Sequence, residues 1–223
     1  MFDDGSTSPR HDLIAPYVAA QLAGDHRGAL DVVIDRGLRA GVPVPALQLG
    51  VVQPAQREIG RLWQENRISV AQEHLATSIS QLVVSHLYQH LPRERSNGKV
   101  ALVACVEGEL HDVGARMGAD FLEMAGFNVR FLGANVPLTK LEEAVGAGGD
   151  VDVLGLSASM TFHVPALERA VRAVRRLKGD EFPIVVGGNL VTWAPRLGDE
   201  LGVKAFGACA DELVSRCRLS LRC

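Results

Sequence analysis

The chain has 223 residues, of which 47% are hydrophobic and 22% are charged, so it is long enough for one large domain or two small domains with apolar cores. Lys and Arg number 23 against 26 Asp and Glu, and the net charge of −3 creates no overall field that would attract a nucleic-acid backbone. This composition excludes a disordered or collagen-like chain, and no apolar run approaches the roughly 20 residues that cross a bilayer.

The amino terminus and the cysteines favour a cytoplasmic protein with reduced thiols. Residues 1–9 are small and polar, and they are predicted to form a disordered tail that is too short for a DNA-binding module. They also lack the pattern of a signal peptide. The cysteines contain no Cys-x-x-Cys pair, which argues against a zinc site or a disulfide framework; they are Cys105, Cys209, Cys217 and Cys223.

Residues 10–91 are predicted to form a bundle of four helices. Apolar residues recur there at three-to-four spacing, and the pattern is interrupted at Gly24-Asp25, Gly41 and Asn66-Arg67. The fourth helix is predicted to begin after Ser69, an N-cap with Gln72 at the capping-box position. Short connections between the helices favour an antiparallel arrangement.

Residues 92–99 are polar, contain Pro and Gly, and are predicted to be a linker. In residues 100–223, short β-branched segments alternate with helical ones. The predicted strands are Val100–Val106, Val129–Leu132, Val153–Leu156, Ile184–Val186 and Ala205–Phe206. The predicted helices are Val113–Ala125, Leu138–Val145, Pro165–Leu177, Trp193–Leu201 and Asp211–Leu219. The alternation predicts an α/β fold with a Rossmann-like (flavodoxin-like) parallel sheet, which binds ligands at the carboxyl ends of its strands.

The loop after the first strand places a histidine at this edge. His111 has Glu109 two residues before it, Asp112 directly after it and Gly114 three residues after it. A neutral imidazole nitrogen is a good transition-metal ligand, and a carboxylate on the other ring nitrogen would fix the tautomer. From the residues alone, His111 could equally be an ordinary residue at a helix start.

Two further loops are predicted to reach the same edge. The third strand ends in Ser157-Ala158-Ser159, and the fourth ends in Gly187-Gly188. Hydroxyl groups beside a glycine pair leave room for a flat group and offer it small hydrogen-bonding partners. Taken separately, Ser157 and Gly187 would be ordinary turn residues.

Together these loops resemble the cobalamin-binding domain of methionine synthases, corrinoid methyltransferases and cobalamin-dependent mutases. The signature of that family is Asp-x-His-x-x-Gly, then Ser-x-Leu, then Gly-Gly. Here 42 residues separate Gly114 from Ser157, and 27 separate Ser159 from Gly187, which fits the family spacing. The resemblance covers about residues 98–223 and implies that residues 100–223 are a cobalamin-binding domain.

The resemblance also implies a role for each residue of the signature. His111 would bind cobalt from below, with Glu109 and Ser157 extending its hydrogen-bond relay. The slot for the tail of the cofactor would be lined by Ser159, Gly187 and Gly188. This chain has Glu109 where the family has aspartate, and Ser159 where it usually has leucine. His163 and Trp193 flank loops at the same edge, and they either contact the tail or cap helices.

The helical half carries a second pattern, in which nine residues separate Trp63 from the pair Glu73-His74. A tryptophan can cover a large flat group, and Glu and His can hydrogen-bond ribose hydroxyls or a base. Read alone, Trp63 would be a core aromatic residue and Glu73-His74 a solvated helix start. The pattern closely resembles the cap of the adenosylcobalamin-dependent photoreceptors, in which light breaks the cobalt–carbon bond and the bundle shifts to alter oligomeric state.

This second resemblance implies a light sensor that binds adenosylcobalamin, is not an enzyme by itself, and signals through a homo-oligomer or a downstream protein. Direct DNA binding is not expected, because only about ten residues precede the first predicted helix and they leave no room for a helix-turn-helix domain. Membrane association is not expected, because no apolar run is long enough to cross a bilayer. Those photoreceptors have a histidine after the cap tryptophan, whereas this chain has Gln64. Related sensors also bind a bilin, but no residue here indicates one.

Two other functions stay open. The main alternative is a corrinoid protein that carries methyl groups for a cobalamin-dependent methyltransferase system, which shares the two-domain plan. The second is an interaction module whose cofactor site has decayed, since Glu109 departs from the signature.

Overall fold

The computed structural model describes residues 11–146, 150–205, 207 and 210–221. The chain divides into two compact units between Pro92 and Arg93. The predicted tail, residues 1–9, lies outside the described residues, and so do Phe206, Cys209 and Cys223. Among the described residues, no helix combines the length and the apolarity needed to cross a membrane.

The first unit contains the predicted helices, two of which include π-helical segments. Its helices are α1 His11–Leu22, α2 His26–Leu30, α3 Val44–Leu47, α4 Gln53–Gln64 and α5 Val70–Tyr88. Helix α2 continues into the π-helical segment Asp31–Leu38. Helix α3 continues through the π-helical segment Gln48–Val52 into α4. As predicted, Ser69 and Gln72 form a capping box at the start of α5. Large side chains from α1, α3, α4 and α5 fill the core, including Tyr17, Leu47, Ile59, Ile79 and Leu87.

The second unit is a five-stranded parallel sheet with helices on both faces, which confirms the predicted fold class. Its strands are β1 Val100–Cys105, β2 Asn128–Gly133, β3 Val153–Ser157, β4 Ile184–Gly187 and β5 Lys204–Ala205, in the spatial order β2-β1-β3-β4-β5. Its helices are α6 Val113–Met124, α7 Leu138–Gly146, α8 Val164–Lys178, α9 Leu190–Trp193, α10 Leu197–Glu200 and α11 Ala210–Ser220.

The single helix predicted over Trp193–Leu201 is wrong, because the chain forms the two short helices α9 and α10 instead. Between them Ala194 has φ −127° and ψ 70°, which is outside the helical region. The cause is Pro195, whose ring disfavours the helical conformation for the residue before it and which has no N–H to donate.

Alternating side chains of the central strand pack into two separate cores. Leu102 and Ala104 of β1 face the core beneath α7 and α8, whereas Val103 and Cys105 face the core beneath α6 and α11. A strand with both faces covered has no polar positions, which explains the β-branched run in the sequence.

The segment 93–99 belongs to the second unit and is hydrogen-bonded to the turn between α6 and β2. The Glu94 amide donates to the carbonyl of Met124, and the Asn97 amide donates to the carbonyl of Gly126, each at 2.9 Å. Gly126 has φ +85°, and a Cβ at this position would lie 2.5 Å from the Arg95 carbonyl oxygen. Only glycine allows the two segments to approach this closely.

The sheet order determines which loops meet. From β1 the chain crosses to β2 on one side, and β3 lies on the other side, so the loops after β1 and β3 leave the sheet in opposite directions. At the same edge, Ser157 of β3 is paired in register with Gly187 of β4, and the Ala158 amide donates to the Gly187 carbonyl at 3.1 Å. The residues Ser157-Ala158-Ser159 after β3 and Gly187-Gly188 after β4 are therefore neighbours, as predicted.

We expect Gly188→Ala to destabilise the second unit by about 2–4 kcal/mol. Gly188 has φ +92°, and an added Cβ would lie 2.3 Å from the Ala158 carbonyl oxygen. The matched control is Gly202→Ala: its φ is +62°, and a Cβ there would meet no described atom within 4 Å. This control should lose only about 1 kcal/mol, from backbone strain alone. Guanidinium unfolding followed by circular dichroism measures both losses, and equal losses would contradict the steric argument.

Candidate functional site

The loop after β1 carries a buried carboxylate that is bonded to an exposed imidazole. Glu109 is 0% exposed. Its Oε1 accepts hydrogen bonds from the His111 backbone amide at 2.8 Å and from His111 Nδ1 at 2.6 Å. The His111 side chain is 59% exposed. The predicted pairing of these two residues is thus present, with the imidazole at the surface and its anchor in the interior.

The second oxygen of Glu109 is held by the loop after β3. Oε2 accepts a short hydrogen bond from the Ser159 amide, and His163 Nδ1 lies 3.0 Å from the same atom. Ser159 and His163 are about fifty residues away in the chain, and the sheet order brings their loop beside the loop after β1. One carboxylate therefore joins two of the three loops that the sequence predicts to converge.

Asn135 fixes the other side of the same loop. Its Oδ1 accepts from the Gly108 amide, and its own amide donates to the Glu109 carbonyl, both at 2.8 Å. Asn135 adopts φ +49°, a left-handed conformation that asparagine tolerates better than most residues. The sequence analysis did not select this residue; an asparagine directly after Gly133-Ala134 at a strand end was the available signal.

The contacts of Glu109 determine its charge and the tautomer of His111. Burial is the largest influence and raises the pKa of Glu109, but the hydrogen bonds from His111 and from the Ser159 amide, with the charge of His111, outweigh it. The pKa of this carboxyl therefore lies below its usual range. An ionised carboxylate can only accept hydrogen bonds, so Nδ1 of His111 carries a hydrogen and Nε2 carries the lone pair of the neutral ring.

Ser157 does not take the place that the resemblance implies, because among the described residues no hydrogen bond joins it to Glu109. The residue is buried beside Cys105, whose thiol donates to the His111 carbonyl at 3.8 Å. Burial and the nearby charges of Glu109 and Asp112 raise the pKa of this thiol to about 12, which keeps it protonated at neutral pH. At the second oxygen of Glu109, the place that the resemblance gives to Ser157 is taken by the Ser159 amide and His163.

The remaining residues of the signature lie around the start of α6 and the end of β4. The Asp112 carbonyl accepts from the Arg116 amide in the first turn of α6. A Cβ added to Gly114 would meet no described atom within 4 Å, so the packing of the described chain does not require a glycine there. The open side of Gly114, three residues after His111, is space that a side chain would fill and that a large ligand can use.

The site offers one protein ligand, which suits a metal ion that is already coordinated by an organic cofactor. Within the described ranges, no three His, Cys, Asp or Glu side chains form a group that could hold a metal ion. His111 supplies a single nitrogen, and its other ring nitrogen is bonded to a carboxylate, as in most histidine-ligated metal sites. The cobalt of a corrinoid, which the ring of the cofactor already ligates, would need only one such nitrogen from the protein.

The first unit carries the other predicted residues, at the two ends of the connection between α4 and α5. Trp63 is 40% exposed, so it is not the core aromatic residue that one interpretation of the sequence expected. Glu73 Oε2 lies 2.7 Å from His74 Nδ1, and its Oε1 accepts from the Thr77 hydroxyl at 2.9 Å. The His74 side chain is 73% exposed. This is a second carboxylate that holds an exposed imidazole by Nδ1.

A chain of neutral side chains ties this pair to the core of the bundle. Gln56 donates to the Thr77 hydroxyl at 3.1 Å, and its Oε1 accepts from Gln21 at 2.9 Å and from Ser80 at 3.0 Å. Ser80 also lies 2.9 Å from both Gln21 Nε2 and the Tyr17 hydroxyl. Gln21 and Ser80 are fully buried. The sequence analysis missed this network because its members lie on three different helices.

The chain matches known families and proteins in both units. A family model described as a B12 binding domain matches residues 99–212, and a second model with the same description matches residues 13–88. Among solved structures, the chain is similar to a monomethylamine corrinoid protein from Methanosarcina barkeri, with a TM-score of 0.80 and 19% identity, covering 96% of this chain and 99% of that one. At this identity the similarity concerns the fold.

Curated relatives of two kinds are similar to this chain. Dimethylamine corrinoid protein 1 from Methanosarcina acetivorans is 26% identical over 200 residues, which cover 86% of this chain and 84% of the relative. The HTH-type transcriptional repressor CarH from Myxococcus xanthus is 29% identical over 189 residues, which cover 85% of this chain and 62% of that protein.

We expect Gln56→Leu to destabilise the helical unit by about 1–3 kcal/mol, because Gln21 and Ser80 would lose a buried acceptor. The matched control is Gln89→Leu, an exposed position at the carboxyl end of α5, which should change the free energy of unfolding by less than about 0.5 kcal/mol. Urea unfolding of both variants measures the difference. Equal stabilities would mean that the network contributes little to the unit.

Proposed function

Because the chain belongs to the B12-binding domain family, we propose that it is a corrinoid protein that carries a methyl group on bound cobalamin for a methyltransferase system. The observation that carries the proposal is the pair at the sheet edge: an exposed imidazole whose Nδ1 is bonded to a fully buried, ionised carboxylate. This is the arrangement that axial histidine ligands of metals use. In this proposal the chain is a carrier, and catalysis requires a partner.

His111 would be the axial ligand of cobalt, and Glu109 would keep its tautomer and its orientation. Asp112 and Gly114 at the start of α6 would border the corrin ring, while Ser157, Ser159, Gly187 and Gly188 would line the tail slot. Bound cobalamin supplies a cobalt–carbon bond that can hold and release an alkyl group. The protein would hold the cofactor in one orientation, and the hydrogen bond from His111 to Glu109 would set the electron donation of the His111 nitrogen to cobalt.

The relatives support the carrier over the sensor that the sequence analysis favoured. Dimethylamine corrinoid proteins match along most of their own length, up to 96% of the relative for one from Methanosarcina mazei. The match to CarH leaves more than a third of that protein uncovered. In this proposal the partners are a cobalamin-dependent methyltransferase and its substrate-specific counterpart.

A specific observation favours a light sensor as the second candidate. Trp63 is exposed, and the Glu73-His74 pair at the other end of the same connection is anchored to the bundle core. A methyl group needs neither an aromatic plane nor two hydrogen-bonding partners, whereas an adenosyl group has a base and two ribose hydroxyls to offer. A sensor of this kind would bind adenosylcobalamin and signal by a change of oligomeric state or to a downstream protein. Gln64 still means that its photoproduct would lack the upper histidine of the photoreceptors.

We expect His111→Ala to weaken the binding of methylcobalamin at least tenfold and to remove the protein nitrogen from cobalt. Absorbance titration in the dark measures the affinity, and the spectrum of the bound cofactor reports the axial ligand. The control is His86→Ala, an exposed histidine on α5 whose Nδ1 bonds the Leu82 carbonyl, and it should behave as the wild type. An unchanged affinity and spectrum in His111→Ala would refute the assignment of the ligand.

A second titration separates the carrier from the sensor. The carrier should bind methylcobalamin and adenosylcobalamin with similar affinity, and green light should not change its elution volume. The sensor should prefer adenosylcobalamin by about tenfold to several hundredfold, from one aromatic stack and one or two hydrogen bonds. Trp63→Ala should then abolish the preference, whereas Val70→Ala, also an exposed apolar residue, should retain it.

A further inference from the structure

His163 is a buried imidazole to which the cobalamin signature gives no role. It ends a 3-10 turn, Thr161–His163, directly before α8 and is 4% exposed. Its Nδ1 lies 3.0 Å from Glu109 Oε2. In the structure the N–H bond does not point at this oxygen, and neither ring nitrogen has an aligned hydrogen-bond partner among the described residues. A buried polar ring that is left in this state costs stability, so it requires an explanation.

Two neighbours pack against the His163 ring on sides other than that of the carboxylate. Phe162 packs against it edge-to-face, with the ring centroids 4.4 Å apart. Gly108 lies on another side, where an added Cβ would be 3.8 Å from the imidazole Cδ2 and Nε2. The distance from Nδ1 to Glu109 Oε2 is already that of a hydrogen bond, so the contact lacks only the alignment of the N–H bond with this oxygen.

The carboxylate of Glu109 accepts three hydrogen bonds and can accept a fourth. An ionised carboxylate has about four acceptor positions. The amide and the Nδ1 of His111 occupy two of them on Oε1, and the Ser159 amide occupies one on Oε2. His163 stands at the remaining one. With donors on both oxygens the carboxylate cannot rotate, and its orientation determines that of the His111 ring.

We propose that His163 is a positioning residue that orients His111 through Glu109 and thereby determines how firmly His111 ligates cobalt. The inference rests on the proposed cobalamin binding, but not on whether the bound alkyl group is methyl or adenosyl. His163 performs the task that the family resemblance gives to Ser157, which makes no hydrogen bond to Glu109 among the described residues.

Three variants of the full-length chain test the proposal. His163→Phe retains the ring volume and removes both nitrogens. His163→Asn places an amide N–H near the position of Nδ1. Ser157→Ala removes the hydroxyl that the resemblance places in the relay.

Each protein is labelled with nitrogen-15 histidine and reconstituted with cobalamin in the cobalt(II) state, and its electron paramagnetic resonance spectrum is recorded. An axial histidine of the protein gives a doublet splitting, whereas the benzimidazole of the cofactor gives a triplet.

We expect the wild type to show the doublet throughout. In His163→Phe the doublet fraction should fall and cobalamin should bind about tenfold to a hundredfold more weakly, as for other partners of metal-ligating histidines. His163→Asn should restore most of both, and Ser157→Ala should change them less than His163→Phe does. Thermal unfolding of the apo-proteins shows whether a variant has also lost stability.

Several results would overturn the proposal. A merely structural role would lower the unfolding temperature of His163→Phe but leave its doublet and its affinity at the wild-type level. A larger loss in Ser157→Ala than in His163→Phe would return the relay to the serine. If His163→Phe does not fold, His163→Asn is compared with His163→Gln, whose N–H lies nearer the position of Nε2; equal doublets would then reject a role for Nδ1. Absence of the doublet in a wild type that binds cobalamin would instead refute His111 as the ligand, whereas failure of the wild type to bind cobalamin at all would refute the proposed cobalamin site.

Discussion

The site depends on the burial of one charge, the carboxylate of Glu109. An ionised carboxylate without access to water is tolerated only if donors satisfy its oxygens, and here the donors come from two loops about fifty residues apart. The same contacts that stabilise the charge therefore hold the two loops together. They also fix the hydrogen on Nδ1 of His111, so the metal-binding lone pair of the neutral ring is on Nε2.

The parallel sheet makes this arrangement possible because its order changes direction at β1. The loops after β1 and β3 diverge there, and the carboxylate lies where they separate. A hydrogen-bonded Asn135 from the loop after β2 completes the support. Three loops, each fixed at the end of a strand, thus hold the Glu109–His111 pair in place. The backbone of the loop after β1 could not do this alone.

The helical unit uses the same pair of chemical groups with a different support. Glu73 also holds an exposed histidine by Nδ1, but it is anchored by hydroxyl and amide groups rather than by burial. Such an anchor leaves the carboxylate partly exposed and able to accept further hydrogen bonds from a ligand. The two units therefore offer different chemistry: a metal ligand at the sheet edge, and a hydrogen-bonding surface beside an exposed tryptophan.

The sequence by itself determined the fold class, the four helices, the capping box at Ser69 and the pairing of Glu109 with His111, because each depends on spacing over a few residues or on a repeated hydrophobic pattern. Only the tertiary structure decided that the amide of Ser159, and not the hydroxyl of Ser157, bonds Glu109, that Asn135 holds the loop after β1 and that His163 lies beside Glu109. These contacts join side chains that are distant in the chain, and the choice of partner depends on differences of about an ångström that strand register and loop geometry control. A periodic pattern carries no information at that scale.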